Sequence, residues 1–449
     1  MHIKKHLSFS GLRKILSNCF NGIEDKRQRE KVDYSLHDAL MSGFACMYFQ
    51  DPTLCQFQKR LQENQNRSNL QTIFAVKGIP KDNQLRNIID EVPSEELRLF
   101  FKDYFYKLQR GKHLNGYQII PGHYLCPIDA TGYFSSDSIC CPGCLTTEHI
   151  KAEDEESKKT TYAHKSLQVA IVHPDKKQVI PLMPEEIKNT DGKTKQDCEI
   201  NGAKRLIPKL RRDHPQLNLI MLGDDLYSRQ PMINLVRSKK MHYLFVTKPE
   251  SHKYLQEWID IYKRLNRNEY RNYKGEHYIV EWMHGVPLNG QEDSIQVNYL
   301  RCQVYKKDKK TGKEKRTYQN SWVTDININK KNAYQLARGA RCRWKVENEC
   351  FNTLKNQGYH IEHNYGHGEK NLCFNFYLLT LIAFAFHQVF ELTDKLYQAS
   401  RIKFGSKNHM WESLRSYIKI IVFETWEHLL RFALKPDNYK LQLAQPPPA

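Results

Sequence analysis

The stretch from residue 123 to residue 248 does most to limit what this chain can fold into. HYLCPIDATGYF (123–134), SLQVAIVH (166–173) and QVIPLMPEEI (178–187) are apolar and aromatic runs, the last two separated by the turn PDKK. They read as strands, the second pair as a hairpin. DCEINGAKRLIPKLRRDHP (197–215) has helical texture and ends at His-Pro. LNLIMLGDD (217–225) is a short buried strand, RQPMINLVRSKK (229–240) a helix with proline near its start, and HYLFVTK (242–248) another strand. The order is strand, strand, strand, helix, strand, helix, strand. Mixed sheets of this kind bury their middle strands under helices, so the expected class is α/β with a mixed sheet flanked by helices.

The flanks differ in texture. Residues 1–115 read as helices, with DYSLHDALMSGFACMYF (33–49), QLRNIIDEV and PSEELRLFFKDYFYKLQRGK (93–112), where Ser94 is the expected N-cap. This gives an N-terminal helical domain, expected to bind DNA, although no helix-turn-helix signature stands out. The core then occupies 116–248. Residues 249–330 interrupt it with YIVEWMHGVPL, IQVNYLRCQVYK and RTYQNSWVTDI, a β-rich insertion whose basic tip, KKDKKTGKEKR (306–316), sits at a hairpin turn. Helices return in 331–440, the second part of the core, and QPPPA reads as a disordered tail.

Charge indicates the partner class. Lys and Arg number 69 against 50 acidic residues, a net charge of +19. Positive charge spread along a chain marks a polyanion binder, and nucleic acid is the commonest such partner. The twelve cysteines are scattered, and MHIKKHLSFSGLRKIL lacks the apolar core of a signal peptide, so free thiols in a reducing cytoplasm are expected. LCFNFYLLTLIAFAFHQVF (372–390) imitates a membrane span, but its cleanest run is well short of the ~20 residues a bilayer needs. A buried helix is expected there, and no membrane partner.

Three acids stand in telling places. Asp129 follows the apolar strand YLCPI, Asp224 follows NLIMLG, and Glu347 lies on the helix after the insertion. Two strand-end carboxylates and one helix carboxylate can converge over one edge of a mixed sheet. Such a set can hold two divalent ions for phosphodiester chemistry, and magnesium prefers these hard oxygen donors. Singly, each acid has a plainer explanation: a turn cap, a strand-to-loop boundary, an exposed helix residue. Arg343, Glu347, Phe351 and Lys355 are spaced by four, and at roughly 40° of drift per step they form one slanting helical stripe. The cations of that stripe could grip phosphate, or simply pair with Glu347.

The segments IDATGYFSSDSICCPGC, LGDDLYSRQP and RCRWKVENECFNTLKNQGYHIEHNYGHG resemble a DDE-type insertion-sequence transposase, over almost the whole chain. The resemblance implies a ribonuclease H-like core with a β-rich insertion before the third acid. It implies that Asp129, Asp224 and Glu347 are the ligands of Mg2+, with Mn2+ as a substitute. Asp224 is preferred to Asp225 because the family pattern has a variable residue and then Leu-Tyr after the Asp. The matching branch carries Tyr-x2-Arg-x3-Glu-x6-Lys. Arg343 and Glu347 fit it, Ala340 replaces the Tyr, and Leu354 holds the Lys position with Lys355 one further on. The implied activity is cleavage of double-stranded DNA at the ends of an element and transfer of the ends to target DNA, by a homodimer in the bacterial cytoplasm at the nucleoid. A ribonuclease H-like endonuclease and an inactive DNA-binding regulator are the alternatives.

Cys141-x2-Cys144, with His149 and His164 downstream, forms half of a zinc pattern, so structural Zn2+ at Cys141 and Cys144 is a further expectation, against reduced loop thiols. Trp344 is expected to anchor the core. His360 and His363 are tempting as metal ligands but more naturally belong to a loop, and Tyr365 and His367 are placed near DNA.

Overall fold

The computed structural model describes residues 5–28, 30, 32–57, 68–151, 154–189, 196–262, 265–308, 311–363 and 365–440. The QPPPA tail and two lysines of the basic tip, Lys309 and Lys310, lie outside them. The chain forms two compact units. One comprises Lys112–Ser138 and Gly143–Asn352, the other Met1–Gly111, Ile139–Pro142 and Thr353–Ala449.

The first unit is built on one mixed sheet. Its strands are β1 (Gln118–Ile120), β2 (His123–Ser136), β3 (Leu145–Lys151), β4 (Asp154–Ile171), β5 (Ile180–Pro181), β6 (Glu185–Ile187), β7 (Asn218–Gly223), β8 (His242–Val246), β9 (Asn266–Arg271), β10 (His277–Pro287), β11 (Gln296–Lys307) and β12 (Glu314–Thr324). The main order is β3-β4-β2-β7-β8-β12-β11-β10-β9. β2, β7 and β8 run parallel, and β4 lies antiparallel to β2. The first five positions are the ribonuclease H-like arrangement, three antiparallel strands followed by two parallel ones. β7, NLIMLG, is buried along nearly its whole length, as a strand covered on both faces must be.

The insertion continues the same sheet. β9 to β12 are an antiparallel meander whose last strand pairs with β8, with Trp322 opposite Val246 and fully buried. The turn between β11 and β12 falls in the basic segment, where the sequence places it.

The helices follow in chain order: α1 (Phe9–Asn21), α2 (Leu36–Tyr48), α3 (Asn69–Phe74), α4 (Asp82–Asp90), α5 (Arg98–Arg110), α6 (Glu199–Asp213), α7 (Gln230–Ser238), α8 (Lys253–Tyr262), α9 (Ala333–Ala340), α10 (Asn352–Asn356), α11 (Leu372–Thr393), α12 (Lys395–Phe404), α13 (Lys407–Ile420) and α14 (Trp426–Leu434). Ser94 does not cap α5. It opens a short 3-10 turn, Ser94–Leu97, that leads into the helix.

The helical unit is organised around α11, which is long and apolar enough to cross a membrane but buried in this unit. Its Phe386 meets Phe9, Phe44, Tyr48 and Phe100, and Tyr48 also packs against Trp411 and Trp426. The start of α11 is fixed by Asp90, whose carboxylate accepts the backbone N–H groups of Glu369, Lys370, Asn371 and Leu372 at 2.8–3.0 Å. Burial raises the Asp90 pKa, but these four donors outweigh it and hold the carboxyl below its ordinary range.

Residues 341–356 are not one regular α-helix. Arg341–Arg343 form a 3-10 turn, Val346–Phe351 a π-helix and Asn352–Asn356 an α-helical turn. The slanting stripe expected from uniform 3.6-residue periodicity is therefore broken. The π segment, a frequent feature of functional sites, buries Val346, Cys350 and Phe351 and leaves Glu347 exposed.

Candidate active site

Register places Asp129 and Asp224 side by side, but Asp129 lies within β2 and not at its end as expected, because β2 runs on to Ser136 against β4 after its pairing with β7 has stopped. β2 and β7 pair in parallel from His123↔Asn218 to Pro127↔Leu222. Asp129 and Asp224 each stand two residues further on. Strand side chains alternate with period two, so both continue the face of the last pair.

Asp129 is half-buried. Its Oδ1 accepts its neighbour's N–H, from Ala130, at 3.0 Å, and its Oδ2 lies 3.5 Å from Arg343 Nη1. Burial pushes the Asp129 carboxyl up to about 6. Arg343 works against that rise, while the negative charges of Glu199 and Glu347 add to it. The guanidinium of Arg343 in turn lies over the Trp344 ring at 4.0 Å. Trp344 is no core anchor: it is 46 % exposed, and its ring forms a platform for Arg343.

Asp224 accepts the Leu226 N–H at 2.9 Å. Its neighbour Asp225 does a different job. Asp225 is buried and accepts from Lys248 N at 2.8 Å and Ser251 Oγ at 2.6 Å, tying the end of β7 to the loop after β8. Of the two adjacent acids, Asp225 is therefore the one that holds the architecture. Asp225→Ala is expected to cost about 2–4 kcal/mol in a denaturant titration, because it strands buried donors. Asp224→Ala should stay within about 1 kcal/mol of wild type.

A fourth carboxylate, which the sequence reading missed, belongs to this group. Glu199 opens α6, where an acid normally needs no explanation beyond the helix dipole. Here its carboxylate accepts a 2.7 Å hydrogen bond from Tyr227 Oη. Burial raises its pKa, the Tyr227 bond lowers it, and Asp224 raises it further. Tyr227 packs closely against Gly223 on its way to Glu199. A Cβ at that glycine would come within 2.7–2.9 Å of the ring. No local signal connects a helix-opening Glu to a Tyr 28 positions later. The LGDDLY segment carries the only hint, a glycine and a tyrosine around the acids.

Asp129, Asp224, Glu199 and Glu347 are thus linked electrostatically at one end of the parallel strands, with Arg343 among them. All four offer oxygen, the donor set that suits Mg2+ or Mn2+. Lys355 belongs to the helical unit and pairs there with Glu362 at 2.7 Å. Tyr365 is buried in the same unit and donates to the Asp51 carbonyl, so it is a packing residue and not a DNA contact. His363 packs edge-on against it.

All twelve cysteines are free thiols. Cys141 is half-buried and Cys144 buried. Cys144 Sγ lies 3.4 Å from His164 Nε2. On the other side of that imidazole, Glu186 Oε1 is 3.6 Å from Nδ1 and also accepts from Tyr133 Oη. Zinc bond lengths and a tetrahedral angle would place an S and an N ligand roughly 3.5 Å apart, and ligating histidines commonly have a carboxylate behind them.

Comparison with known families gives one match. A family model described as a transposase DDE domain matches residues 147–385, more than half of the chain. The matched span contains Glu199, Asp224 and Glu347, while Asp129 precedes it. No curated protein matches the chain.

Proposed function

Because the chain belongs to the transposase DDE domain family, we propose that it cuts the ends of an insertion sequence and joins them to target DNA, with Asp129, Asp224 and Glu347 as its metal ligands. Membership makes it a transposase-type enzyme acting on DNA. The observation that carries the finer reading is the juxtaposition of Asp129 and Asp224, each two residues beyond the last parallel pair of β2 and β7, with the charge of Glu347 acting on Asp129.

The donor set fits divalent ions: Asp129, Asp224, Glu199 and Glu347 all offer oxygen, and Asp129, half-buried, resists ionisation until about pH 6. Divalent ions held there would activate the attacking hydroxyl and stabilise the charge that develops at phosphorus. The chain's own residues supply position. Arg343, fixed between Asp129 and the Trp344 ring, has N–H donors left for a phosphate oxygen. Glu199, held by Tyr227, stands beside Asp224 and adds negative charge to the site. The exposed face of Trp344 offers an apolar surface next to the scissile phosphate. The +19 charge holds the polyanion, and the N-terminal helices contribute to DNA binding. The enzyme works as a homodimer on paired ends in the cytoplasm.

The test is an assay with duplexes carrying the element's ends and a target plasmid, with Mg2+ or Mn2+. Cleavage followed by joining supports the reading. Cutting without joining would assign a ribonuclease H-like endonuclease. DNA binding without cutting in either ion would assign a regulator.

Zinc is the second metal proposed. Cys144 and His164 provide two ligands, with Glu186 behind the imidazole, and the Cys-x2-Cys spacing nominates Cys141 as a third. Protein purified without chelator is expected to carry one equivalent of zinc, and Cys144→Ser to lose it together with several degrees of Tm. Metal analysis of both proteins checks this, and a zinc-free wild type would leave Cys144 and His164 as an ordinary buried pair.

A further inference from the structure

A cleft of about 750 Å3 opens in the sheet unit where the turn after β4, the β9–β10 turn and α9 with the following 3-10 turn come together. Its volume is within the roughly 300–1,000 Å3 of small-molecule and cofactor sites, yet its lining is that of an anion site. Arg271, Lys274, Arg338, Arg341 and Lys345 line it, with Tyr273 at the mouth.

Two carboxylates also line it, Asp175 and Glu276, and both are engaged. Arg338 pairs with Asp175, and Lys306 with Glu276 at 2.7 Å. Arg271 is matched by Glu314 at 2.9 Å. Among the described residues, Lys274, Arg341 and Lys345 have no carboxylate within ion-pair distance. Three positive charges therefore stay uncompensated around one concavity.

The cations are held in two different ways. Arg341 is half-buried and fixed: its guanidinium lies over the Tyr318 ring at 4.4 Å and donates to Tyr278 Oη at 2.8 Å. Lys345 is tethered through the Lys176 carbonyl at 2.7 Å. A guanidinium held on an aromatic face keeps spare N–H donors and loses little freedom on binding an anion. By contrast, Lys274 and Tyr273 sit at the tip of a turn, with Tyr273 89 % exposed. Exposed aromatic rings beside cations stack bases or sugars while the cations hold phosphate.

The cleft is not the carboxylate site. Along β2 and β4, Asp129 pairs with Gln168, and Leu125 bridges to Val172. Pro174 and Asp175 follow beyond the start of β2, at the end of the sheet away from Asp129 and Asp224. Arg343 and Lys345 belong to the same turn of chain, yet Arg343 faces Asp129 and Lys345 faces Lys176.

We propose that this cleft is a second, non-catalytic DNA site that grips the sugar–phosphate backbone of duplex running away from the scissile phosphate, Arg341, Lys345 and Lys274 holding phosphates and Tyr273 packing on a sugar or base. The proposal rests on the reading of the chain as a DNA transposase. It implies that binding and chemistry can be weakened separately.

The test is equilibrium binding of full-length protein to duplex DNA across a salt series, for wild type, Lys274→Gln, Tyr273→Ala and Arg341→Gln. Each lost phosphate contact should lower the slope of log K against log salt by about 0.9. Lys274→Gln and Arg341→Gln are each expected to weaken binding about three- to tenfold and to reduce the slope by about one. Tyr273→Ala should weaken binding with the slope unchanged. Lys274 and Tyr273 are exposed turn residues, so their variants report on binding even if Arg341→Gln unfolds. Asp129→Asn should keep the wild-type slope. Wild-type affinity and slope in both turn variants would overturn the proposal while leaving the transposase reading intact. A full-length protein that binds no duplex DNA would overturn that reading as well. Binding of a mononucleotide, lost in Lys274→Gln while duplex affinity is unchanged, would mark a free-nucleotide site instead and also overturn it.

Discussion

Asp129→Asn is expected to abolish strand cleavage while leaving DNA affinity within about twofold of wild type. The substitution keeps the shape of the side chain and removes one anionic ligand. Metal-supplied charge stabilisation is worth several kcal/mol, and each ~1.4 kcal/mol is a factor of ten, so a loss on the order of 10^3-fold or more follows. Asp224→Asn and Glu347→Gln should do the same. The three losses should not multiply when combined, because residues that act on one transition state are not additive. Asp225→Asn serves as the control for position, since its carboxylate is occupied by Lys248 and Ser251. Oligonucleotide cleavage and filter binding on the same preparations measure both quantities. If Asp225→Asn abolished cleavage in a folded protein while Asp224→Asn did not, the assignment of the two acids would be reversed.

The second large effect concerns pH. Asp129 titrates at about 6 in the fold against an ordinary 3.8, chiefly through burial, with Arg343 opposing and Glu199 and Glu347 adding to the rise. Below about pH 4 the group is protonated in both folded and unfolded chains and contributes nothing. Between pH 4 and 6 the unfolded chain loses its proton first, so the metal-free protein is destabilised as pH rises. Above 6 the whole penalty is present. One pKa unit is ~1.4 kcal/mol, which makes that penalty ~3 kcal/mol. In the presence of a chelator, Asp129→Asn should therefore be more stable than wild type above pH 6 by about that amount, the difference shrinking toward pH 4. Excess Mg2+ should close the gap by stabilising wild type alone. Urea titrations across pH 4.5–8 test this. Parallel stability profiles for the two proteins would contradict it. A mutation that stabilises the fold while ending its chemistry is the expected signature of charges gathered for function.

Much of the strand and helix order between 123 and 248 is legible in the sequence because buried strands such as NLIMLG and LQVAIV leave continuous apolar runs that no surface element would carry, whereas β3 and the first part of β4, with the polar sequences LTTEHIK and DEESKKTT, leave none and are not expected from it. The apolar runs reveal that Asp224 follows a strand, but not that β2 continues through Asp129 to Ser136. Glu199 is a different matter. What sets it apart is a contact through Tyr227 and the bare face of Gly223, and an acid at a helix start looks ordinary without that contact. The region around Glu347 misleads for a physical reason. Four-residue spacing fits an α-helix, and nothing in RCRWKVENECF reveals the π-helical turn that exposes Glu347, or the exposed Trp344 ring under Arg343. Four-residue spacing and the neighbouring Lys position of the family signature both point to Lys355, whose partner in the structure is Glu362.

The most direct test of the central claim maps where a divalent ion sits. Fe2+ can take the place of Mg2+, and with peroxide and ascorbate it cuts the polypeptide close to its ligands. The expected result is three groups of fragments, ending near residues 129, 224 and 347, all suppressed by excess Mg2+ and absent in Asp129→Asn. Cuts clustered elsewhere, or near only one of the three acids, would mean that these carboxylates do not share an ion.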